Sequence, residues 1–184
     1  MHFTPFLKHL QAFCVTAVGA SYFWEIALPL ELNILVGTMT NTAQLVAQEI
    51  ELTLGDDDTV VKVQYMDGLD ASAVKPGALY LICTSTYGQG DVPDNAKGLY
   101  DSLVAARPDL SSVRYGVIAL GDRTYLQTYC FGGKKFDAIF SELGAHRVGD
   151  VCFHDASAGT LPEEVCLEWA QAWCEQARTE LAAA

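Results

Sequence analysis

The feature that most constrains the fold of this chain is a regular alternation of short apolar runs with longer segments of helical periodicity. Residues 32–37 read Leu-Asn-Ile-Leu-Val-Gly, which is typical of a strand buried on both faces. Residues 42–54 carry apolar side chains at helical spacing until a glycine and three aspartates end the pattern. The same criteria predict further strands at residues 59–66, 78–84, 113–120 and 148–153, and further helices at residues 94–106, 134–143 and 161–181.

Five strands that alternate with helices predict an α/β protein with a doubly wound parallel sheet. Parallel neighbours need crossover connections, and the crossover helices cover both faces of the sheet. In such sheets, ligands bind beyond the carboxyl ends of the strands, where the strand order reverses. We therefore expect the functional residues in the loops that follow Gly37, Thr84 and Leu120.

The first 31 residues differ in composition from the rest of the chain. Residues 10–24 are nearly all apolar, with Lys8 and His9 before them and Glu25 after them. Three interpretations fit this outline: an upstream extension that is not part of the protein, an export signal or short anchor, and an extra helix that docks on the domain. We favour the first, expect no stable membrane insertion, and assign residues 32–184 to one domain.

The charge of the chain restricts its partners. Lysine and arginine number 11 against 23 aspartates and glutamates, which gives a formal net charge of −12. Nucleic acid is disfavoured because its phosphates would be repelled, and the largest basic cluster is the pair Lys134 and Lys135. The hydrophobic fraction of 51% excludes a disordered chain. We expect a cytoplasmic monomer whose protein partners present basic surfaces, and no metal site.

The six cysteines show no pair at the two-residue spacing of a redox or zinc motif. In a chain of this size they are predicted to be small buried packing residues that stay reduced in the cytosol. Cys130 lies in one of the candidate loops and is given the same interpretation.

The first candidate loop is rich in hydroxyl groups and runs directly into a predicted helix. It reads Gly37-Thr38-Met39-Thr40-Asn41-Thr42. Hydroxyls together with the N–H groups of a helix start can surround an anion without lysine or arginine. The alternative is that threonine and asparagine only cap the helix. The loop lacks the glycine patterns of the nucleoside-triphosphate and dinucleotide loops.

The second and third candidate loops each carry a tyrosine. The second runs Thr84-Ser-Thr-Tyr-Gly-Gln-Gly-Asp-Val-Pro-Asp-Asn95, and the third runs Leu120-Gly-Asp-Arg-Thr-Tyr125. Two aromatic rings at neighbouring strand ends could sandwich a planar ring system. The alternatives are an ordinary loop with a helix cap at Asp94, and a tyrosine that packs on the sheet edge.

In this order, the three loops resemble those of the flavodoxin family. The hydroxyl-rich first loop, Ser-Thr-Tyr-Gly-x-Gly-Asp-x-Pro-Asp-Asn in the second, and Leu-Gly-Asp-x-x-Tyr in the third recur in its FMN domains. The chain looks like the short-chain flavodoxins of the MioC type and the FMN modules of diflavin reductases such as sulfite reductase and cytochrome P450 reductase. The resemblance covers residues 32–178. It implies a flavodoxin-like sheet with strand order 2-1-3-4-5 and FMN as the cofactor.

The resemblance also implies roles for individual residues. Residues of the first loop would hold the FMN phosphate, two tyrosines would lie against the two faces of the flavin ring, and the remaining residues would contact its edge. The implied cofactor-binding residues are Thr38, Met39, Thr40, Asn41, Thr42, Ser85, Thr86, Tyr87, Gly88, Gln89, Gly90, Leu120, Gly121, Asp122, Tyr125 and Asp155. Asn41 stands where many members have glycine, which asparagine can replace because it also accepts unusual backbone dihedrals. No contacts are assigned to residues 127–131.

The function implied by the resemblance is electron transfer rather than catalysis on an organic substrate. A flavin reductase would supply the electrons, and an acceptor redox protein would receive them. Ser85 and Cys83 have no histidine partner evident in the sequence, and His146 and His154 are expected at the surface or at strand ends. Acidic loop residues such as Asp91, Asp94 and Asp122 would steer basic partners toward the ring.

Two other functions remain open at this point. One is an FMN-dependent reductase that oxidises NAD(P)H and reduces quinones or nitro compounds directly. The other is a flavin-free module of the same fold that binds a partner. A response-regulator receiver is excluded, because the end of the third strand reads Thr84-Ser85-Thr86 where a receiver needs a phosphoacceptor aspartate.

Overall fold

The sheet is parallel throughout and lies between two layers of helices. A computed structural model describes residues 29–183. The strands run in the order β2-β1-β3-β4, and the short strands β5 and β6 both pair with β4. The elements are β1 (Leu30–Gly37), α1 (Thr42–Leu54), β2 (Thr59–Tyr65), β3 (Leu79–Thr84), α2 (Asp94–Ala106), β4 (Arg114–Gly121), α3 (Phe131–Glu142), β5 (His146–Arg147), β6 (Cys152–Asp155) and α4 (Pro162–Ala182).

Side-chain alternation along the central strands divides the core into two halves. On β1, Ile34 packs with residues of α1 and α4, and its neighbour Leu35 packs with residues of α2 and α3. Leu81 and Ile82 of β3 divide in the same way. Because both faces are covered, the central strands read as nearly continuous apolar runs, and the predicted doubly wound fold is confirmed.

The predicted fifth strand at residues 148–153 is wrong as a continuous element. The structure has two short strands, and the residues between them leave the sheet at Gly149, whose φ is +61°. The Val148 carbonyl accepts a hydrogen bond of 3.0 Å from Trp173 Nε1 of α4. The backbone at Val148 is thus turned toward the helix layer. The strand propensity of Val148 and Val151 does not reveal this turn.

Helix α3 begins at Phe131, three residues before the predicted start at residue 134. Cys130 precedes it in the left-handed conformation with φ +58°. Gly132 and Gly133 form its first turn and are buried against Ser85 and Ala119, where a Cβ would collide. Glycine has a low helix propensity, so this turn is specified by close packing rather than by local preference.

The apolar segment at residues 10–24 and Cys14 lie outside the described residues. Within residues 29–183, no helix has both the length and the apolar character needed to cross a membrane. The five cysteines in that part of the chain are free and buried, as predicted for packing residues.

Helix α4 approaches the sheet closely at Gly116 of β4. A Cβ on Gly116 would lie 2.5 Å from the Trp173 indole, whose side chain is 3% exposed. We predict that Gly116→Ala lowers the free energy of unfolding by about 1–3 kcal/mol, because the buried indole has no room to move. Urea denaturation of the purified variant measures this change.

Gly98→Ala is the matched control for this substitution. Gly98 is exposed in the interior of α2, and its Cβ would meet only the Leu69 carbonyl at 3.5 Å, an ordinary contact. Because alanine is the better helix former, this variant is expected to gain about 0.5–1 kcal/mol. Equal effects of the two substitutions would contradict the packing argument.

Candidate functional site

An open cleft of about 490 Å³ lies beyond the carboxyl ends of β1, β3, β4 and β6. Four loops line it, one after each of these strands, and no lysine or arginine is among the lining residues of the described chain. Its volume falls in the range of small-molecule and cofactor sites. The predicted residues that line it are Thr40, Thr42, Ser85, Thr86, Gly88, Leu120, Gly121, Asp122 and Tyr125.

The first loop leaves β1 through a close contact with β3. A Cβ on Gly37 would lie 2.5 Å from Thr84 Oγ1, so only glycine lets the two strand ends approach in this way. The Thr38 N–H then donates to Asn95 Oδ1 at 2.9 Å, and Asn95 Nδ2 donates to the Val36 carbonyl at 3.4 Å. The asparagine side chain thereby ties the start of the first loop to α2.

No side chain caps the N-terminus of α1. Asn41 precedes the helix in the left-handed conformation with φ +65°, and its side chain makes no capping hydrogen bond. The capping interpretation of this loop is therefore wrong. The first-turn N–H groups carry the positive end of the helix dipole. Thr40 Oγ1 and Thr42 Oγ1 lie 3.4 Å apart beside them.

Three predicted residues of the first loop, Thr38, Met39 and Asn41, lie outside the cleft lining. Thr38 is buried, and its Oγ1 has no hydrogen-bond partner among the described residues. A buried hydroxyl without a partner is costly, so it marks a place where a further acceptor or donor fits. Met39 is exposed, with 42% of its surface accessible.

The second loop is closed on itself between Tyr87 and Asp91. The Tyr87 N–H donates to the Asp91 carbonyl at 2.9 Å, and the Asp91 N–H donates to the Tyr87 carbonyl at 2.8 Å. Gly88 and Gly90 both have positive φ, and a Cβ on Gly90 would lie 2.9 Å from the Phe131 ring. Gly88 lines the cleft, whereas the other predicted residues of this closed segment, Tyr87, Gln89 and Gly90, lie outside the lining.

Thr86 connects the second loop to the third loop and to α3. Its Oγ1 donates to the Leu120 carbonyl at 3.2 Å and accepts from the Gly132 N–H at 3.1 Å. Both hydrogen-bonding roles of the hydroxyl are thus used within the protein. The side chain of Thr86 thereby connects the second loop, the third loop and α3.

The third loop contributes Asp122 and Tyr125 to the cleft. The Asp122 carboxylate accepts from the Thr124 N–H at 2.8 Å and from Thr124 Oγ1 at 2.6 Å, which turns the chain after β4. Tyr125 then projects from the rim with 69% of its surface accessible. Gly121 passes so close to Cys130 that a Cβ would lie 2.6 Å from the Cys130 nitrogen.

Asp155 joins two walls of the cleft instead of lining it. Its carboxylate accepts from the Arg123 N–H at 2.9 Å, the Ser157 N–H at 3.0 Å and Ser157 Oγ at 2.7 Å. These hydrogen bonds, the one from Arg123 first, hold the pKa of Asp155 below its ordinary value. The carboxylate is used to fix the loop after β6 against the loop after β4.

Asp155 was the only residue predicted in the loop after β6, and the residues of that loop that form the fourth wall of the cleft were not predicted. This wall consists of His154 and the segment before α4, where Ala156, Thr160 and Pro162 line the cleft, and Thr128 of the third loop adds to it. His154 is 4% exposed, and its Nε2 lies 3.1 Å from Thr160 Oγ1. It lies at a strand end, as expected, but it is buried and not at the surface.

The sequence held one indication of this wall. The rule that ligands bind beyond carboxyl strand ends applies to the fifth strand as well, and that strand ends beside β4.

His146 is exposed and pairs with Glu180 at 3.4 Å, and neither residue lines the cleft. Asp91, which was expected to steer basic partners toward the ring, pairs with Lys135 at 2.8 Å.

Comparison with known proteins gives one consistent family. A family model described as flavodoxin matches residues 34–169. The chain is similar to Flavodoxin YqcA of Pectobacterium carotovorum subsp. carotovorum, with 40% identity over 145 residues that cover 79% of this chain and 95% of the relative. Protein MioC of Escherichia coli strain K12 is 28% identical over 143 residues, which cover 78% and 95% of the two chains.

Two further similarities concern a larger protein and a solved structure. The sulfite reductase [NADPH] flavoprotein alpha-component of Bacillus subtilis strain 168 is 35% identical over 123 residues, which are 66% of this chain and 20% of that one. The solved structure of a cysteine-to-alanine mutant of flavodoxin from Pseudomonas aeruginosa has a TM-score of 0.69 and 29% identity, and covers 80% of this chain and 98% of that chain.

The hydrogen bonds to Asp155 predict a pH effect on stability. A carboxyl whose pKa is lower in the folded state stabilises the protein above its unfolded pKa of about 3.9, and this contribution is lost as the pH falls further. We predict that Asp155→Asn reduces the decline in unfolding free energy between about pH 5 and pH 3. Urea denaturation across that range measures the slope, with exposed Asp57→Asn as the control. An unchanged slope in Asp155→Asn would contradict the assignment.

Proposed function

Because the chain belongs to the flavodoxin family of FMN-binding electron-transfer proteins, we propose that the cleft at its sheet edge is the FMN site. On this proposal the chain carries electrons from a flavin reductase to an acceptor redox protein. The observation that carries it is the convergence of four strand ends on one cleft, with neutral hydrogen-bond donors at one side and an exposed tyrosine at the rim.

The first loop suits the phosphate of FMN. The N-terminus of α1 has no side-chain cap, Thr40 and Thr42 present hydroxyls beside it, and the Thr38 hydroxyl is buried without a partner among the described residues. In a protein of net charge −12, an anion needs fixed local donors to offset the repulsion. Helix N–H groups and hydroxyls supply such donors without a cationic side chain.

The second and third loops suit the flavin ring. Tyr125 at the rim offers an aromatic face, and Gly88 presents backbone to the cleft with positive φ and no neighbouring atom within 4 Å of a Cβ position. The Tyr87 side chain is 47% exposed beside Gly88, so rotation of that side chain would let it pack on a bound ring from outside. Each such stacking contact contributes about 0.5–1.5 kcal/mol beyond burial.

When bound, FMN would supply one- and two-electron redox chemistry, and the residues of the four loops would position its ring. Thr86 and Asp155 contribute indirectly, because their hydrogen bonds hold three of the four loops in register. The Cys83 thiol is buried, and burial raises its pKa far above the ordinary value, so it is no nucleophile for substrate chemistry. These features favour an electron carrier.

Partners with basic surfaces fit the electrostatics of this chain. The net charge of −12 would attract a basic reductase or acceptor over a distance of about 10 Å at 0.1 M salt. Apolar side chains exposed around the cleft, among them Met39, Tyr125 and Leu126, would contact such a partner after the encounter. The free, buried cysteines support the cytoplasm as the compartment.

Substitutions at the phosphate loop test the proposed site. We predict that Thr40→Val and Thr42→Val each weaken FMN binding about 10- to 100-fold, because a hydrogen bond to a charged group contributes about 1.5–3 kcal/mol. Riboflavin lacks the phosphate, so its affinity should not change. Titration of flavin fluorescence with each apoprotein gives both dissociation constants.

Thr53→Val is the control for these two substitutions. Thr53 is exposed near the C-terminal end of the same helix, far from the phosphate loop in sequence. Its substitution is expected to change neither affinity. Equal loss of FMN and riboflavin affinity in Thr40→Val or Thr42→Val would show that the loop does not hold the phosphate.

Small inorganic acceptors test the electrostatic part of the proposal. We predict that the oxidation rate of the reduced FMN-loaded protein by hexaammineruthenium(III) falls several-fold between about 10 mM and about 300 mM salt, and that the rate with ferricyanide rises, because salt screens attraction and repulsion alike. Anaerobic stopped-flow absorbance measures both rates. Rates that respond to salt in the same direction for both acceptors would contradict steering by the net charge.

A further inference from the structure

Two cysteines face each other between the sheet and α4, one on each side of the chain segment 153–165. Cys152 begins β6, and Cys166 lies in the second turn of α4. Their Sγ atoms are 3.9 Å apart, and their side chains are 6% and 0% exposed. The two sulfurs are each other's hydrogen-bond partner, whereas the Cys83 thiol donates to the Ala43 carbonyl and the Cys130 thiol donates to the carbonyls of Ala119 and His154.

The segment between these cysteines forms the fourth wall of the cleft. His154, Ala156, Thr160 and Pro162 all lie within residues 153–165 and line the cleft. Apart from the pairing of β6 with β4 and the packing of α4, this wall is held by the hydrogen bonds of Asp155, by the contact of His154 with Thr160 and by the Cys130 thiol, which donates to the His154 carbonyl at 3.7 Å. A covalent bond between Cys152 and Cys166 would close the segment into a loop at its base.

The two thiols differ in the direction in which their pKa values are shifted. The hydrogen bond between the sulfurs lowers the pKa of Cys152, and the same hydrogen bond together with burial raises the pKa of Cys166. Cys152 is therefore the first of the pair to become a thiolate, the form that reacts. At Cys130, in contrast, burial raises the pKa to about 11, and burial also raises the pKa of Cys83 and of Cys174.

We propose that Cys152 and Cys166 form a reversible disulfide when the protein meets hydrogen peroxide, and that this bond clamps the wall formed by residues 153–165. A disulfide has an S–S length of about 2.05 Å, so the sulfurs must approach by about 1.9 Å from their present separation of 3.9 Å. The inference does not depend on a bound flavin.

The oxidation proceeds in two balanced steps. The Cys152 thiolate attacks one peroxide oxygen, an S–O bond forms, the O–O bond breaks, and the departing hydroxide takes up a proton to leave as water. The Cys166 sulfur then attacks the Cys152 sulfenic acid, an S–S bond forms, the S–O bond breaks, and a second water leaves with the thiol proton. In total the two thiols lose two electrons, and one molecule of hydrogen peroxide is reduced to two molecules of water.

Peptide mapping of the full chain tests the proposal without any variant. Cleavage after glutamate separates the relevant cysteines, because Glu163, Glu164, Glu168 and Glu175 place Cys152, Cys166 and Cys174 in three different peptides. The protein is treated with a few equivalents of hydrogen peroxide and denatured in the presence of an alkylating agent that blocks the free thiols, and it is then digested. The expected product is the Cys152 peptide joined to the Cys166 peptide, about 2 Da lighter than the sum of the reduced pair, and dithiothreitol should reverse it.

Thermal unfolding gives the second readout. Closing a loop of about 15 residues should raise the Tm of the oxidised protein by about 5–10 °C, and reduction should abolish the shift. Cys152→Ala and Cys166→Ala should each lose both the cross-linked peptide and the shift, whereas the matched control Cys174→Ala, a buried cysteine of the same helix as Cys166, should keep both. Unlinked Cys152 and Cys166, peptides heavier by about 16 or 32 Da, or a link through Cys14 or Cys174 would overturn the proposal.

Discussion

Everything at the proposed site depends on the parallel alignment of β1, β3, β4 and β6. This alignment directs four carboxyl strand ends to one edge of the sheet, so four loops distant in sequence share one cleft. Two side chains then hold these loops together, because the Thr86 hydroxyl connects the second and third loops and the Asp155 carboxylate connects the third and fourth. The parallel direction of the strands thus determines where the cleft lies, and a few side-chain hydrogen bonds fix its loops relative to one another.

Charge is the second constraint on this site. A chain of net charge −12 that holds a phosphate group must supply donors locally, and the uncapped N-terminus of α1 with its neighbouring hydroxyls does so without a cation. The same excess of carboxylates would serve encounter with basic redox partners. The excess of negative charge therefore affects two kinds of binding. It requires direct hydrogen-bond donors at the cofactor phosphate, and it attracts basic partners over a longer range.

Much of the fold was predictable because the apolar patterns are strong. Helix α2 was predicted with the bounds that the structure shows, whereas the fifth strand was not, because its break depends on Gly149 and on a tertiary hydrogen bond from Trp173. Motifs in three loops indicated most of the cleft lining. His154 and Thr160 were missed because no motif marks them, and the confinement of Tyr87 to a closed loop arises from hydrogen bonds that residue types do not reveal.

The most direct measurement of the central claim is a titration of FMN with the apoprotein, followed by flavin fluorescence and by thermal unfolding. If neutral donors at the sheet edge bind FMN, the emission changes until one equivalent is bound, and the Tm rises as free FMN increases beyond its dissociation constant. If saturating FMN leaves both the emission and the Tm unchanged, the cleft is not a flavin site and the account fails.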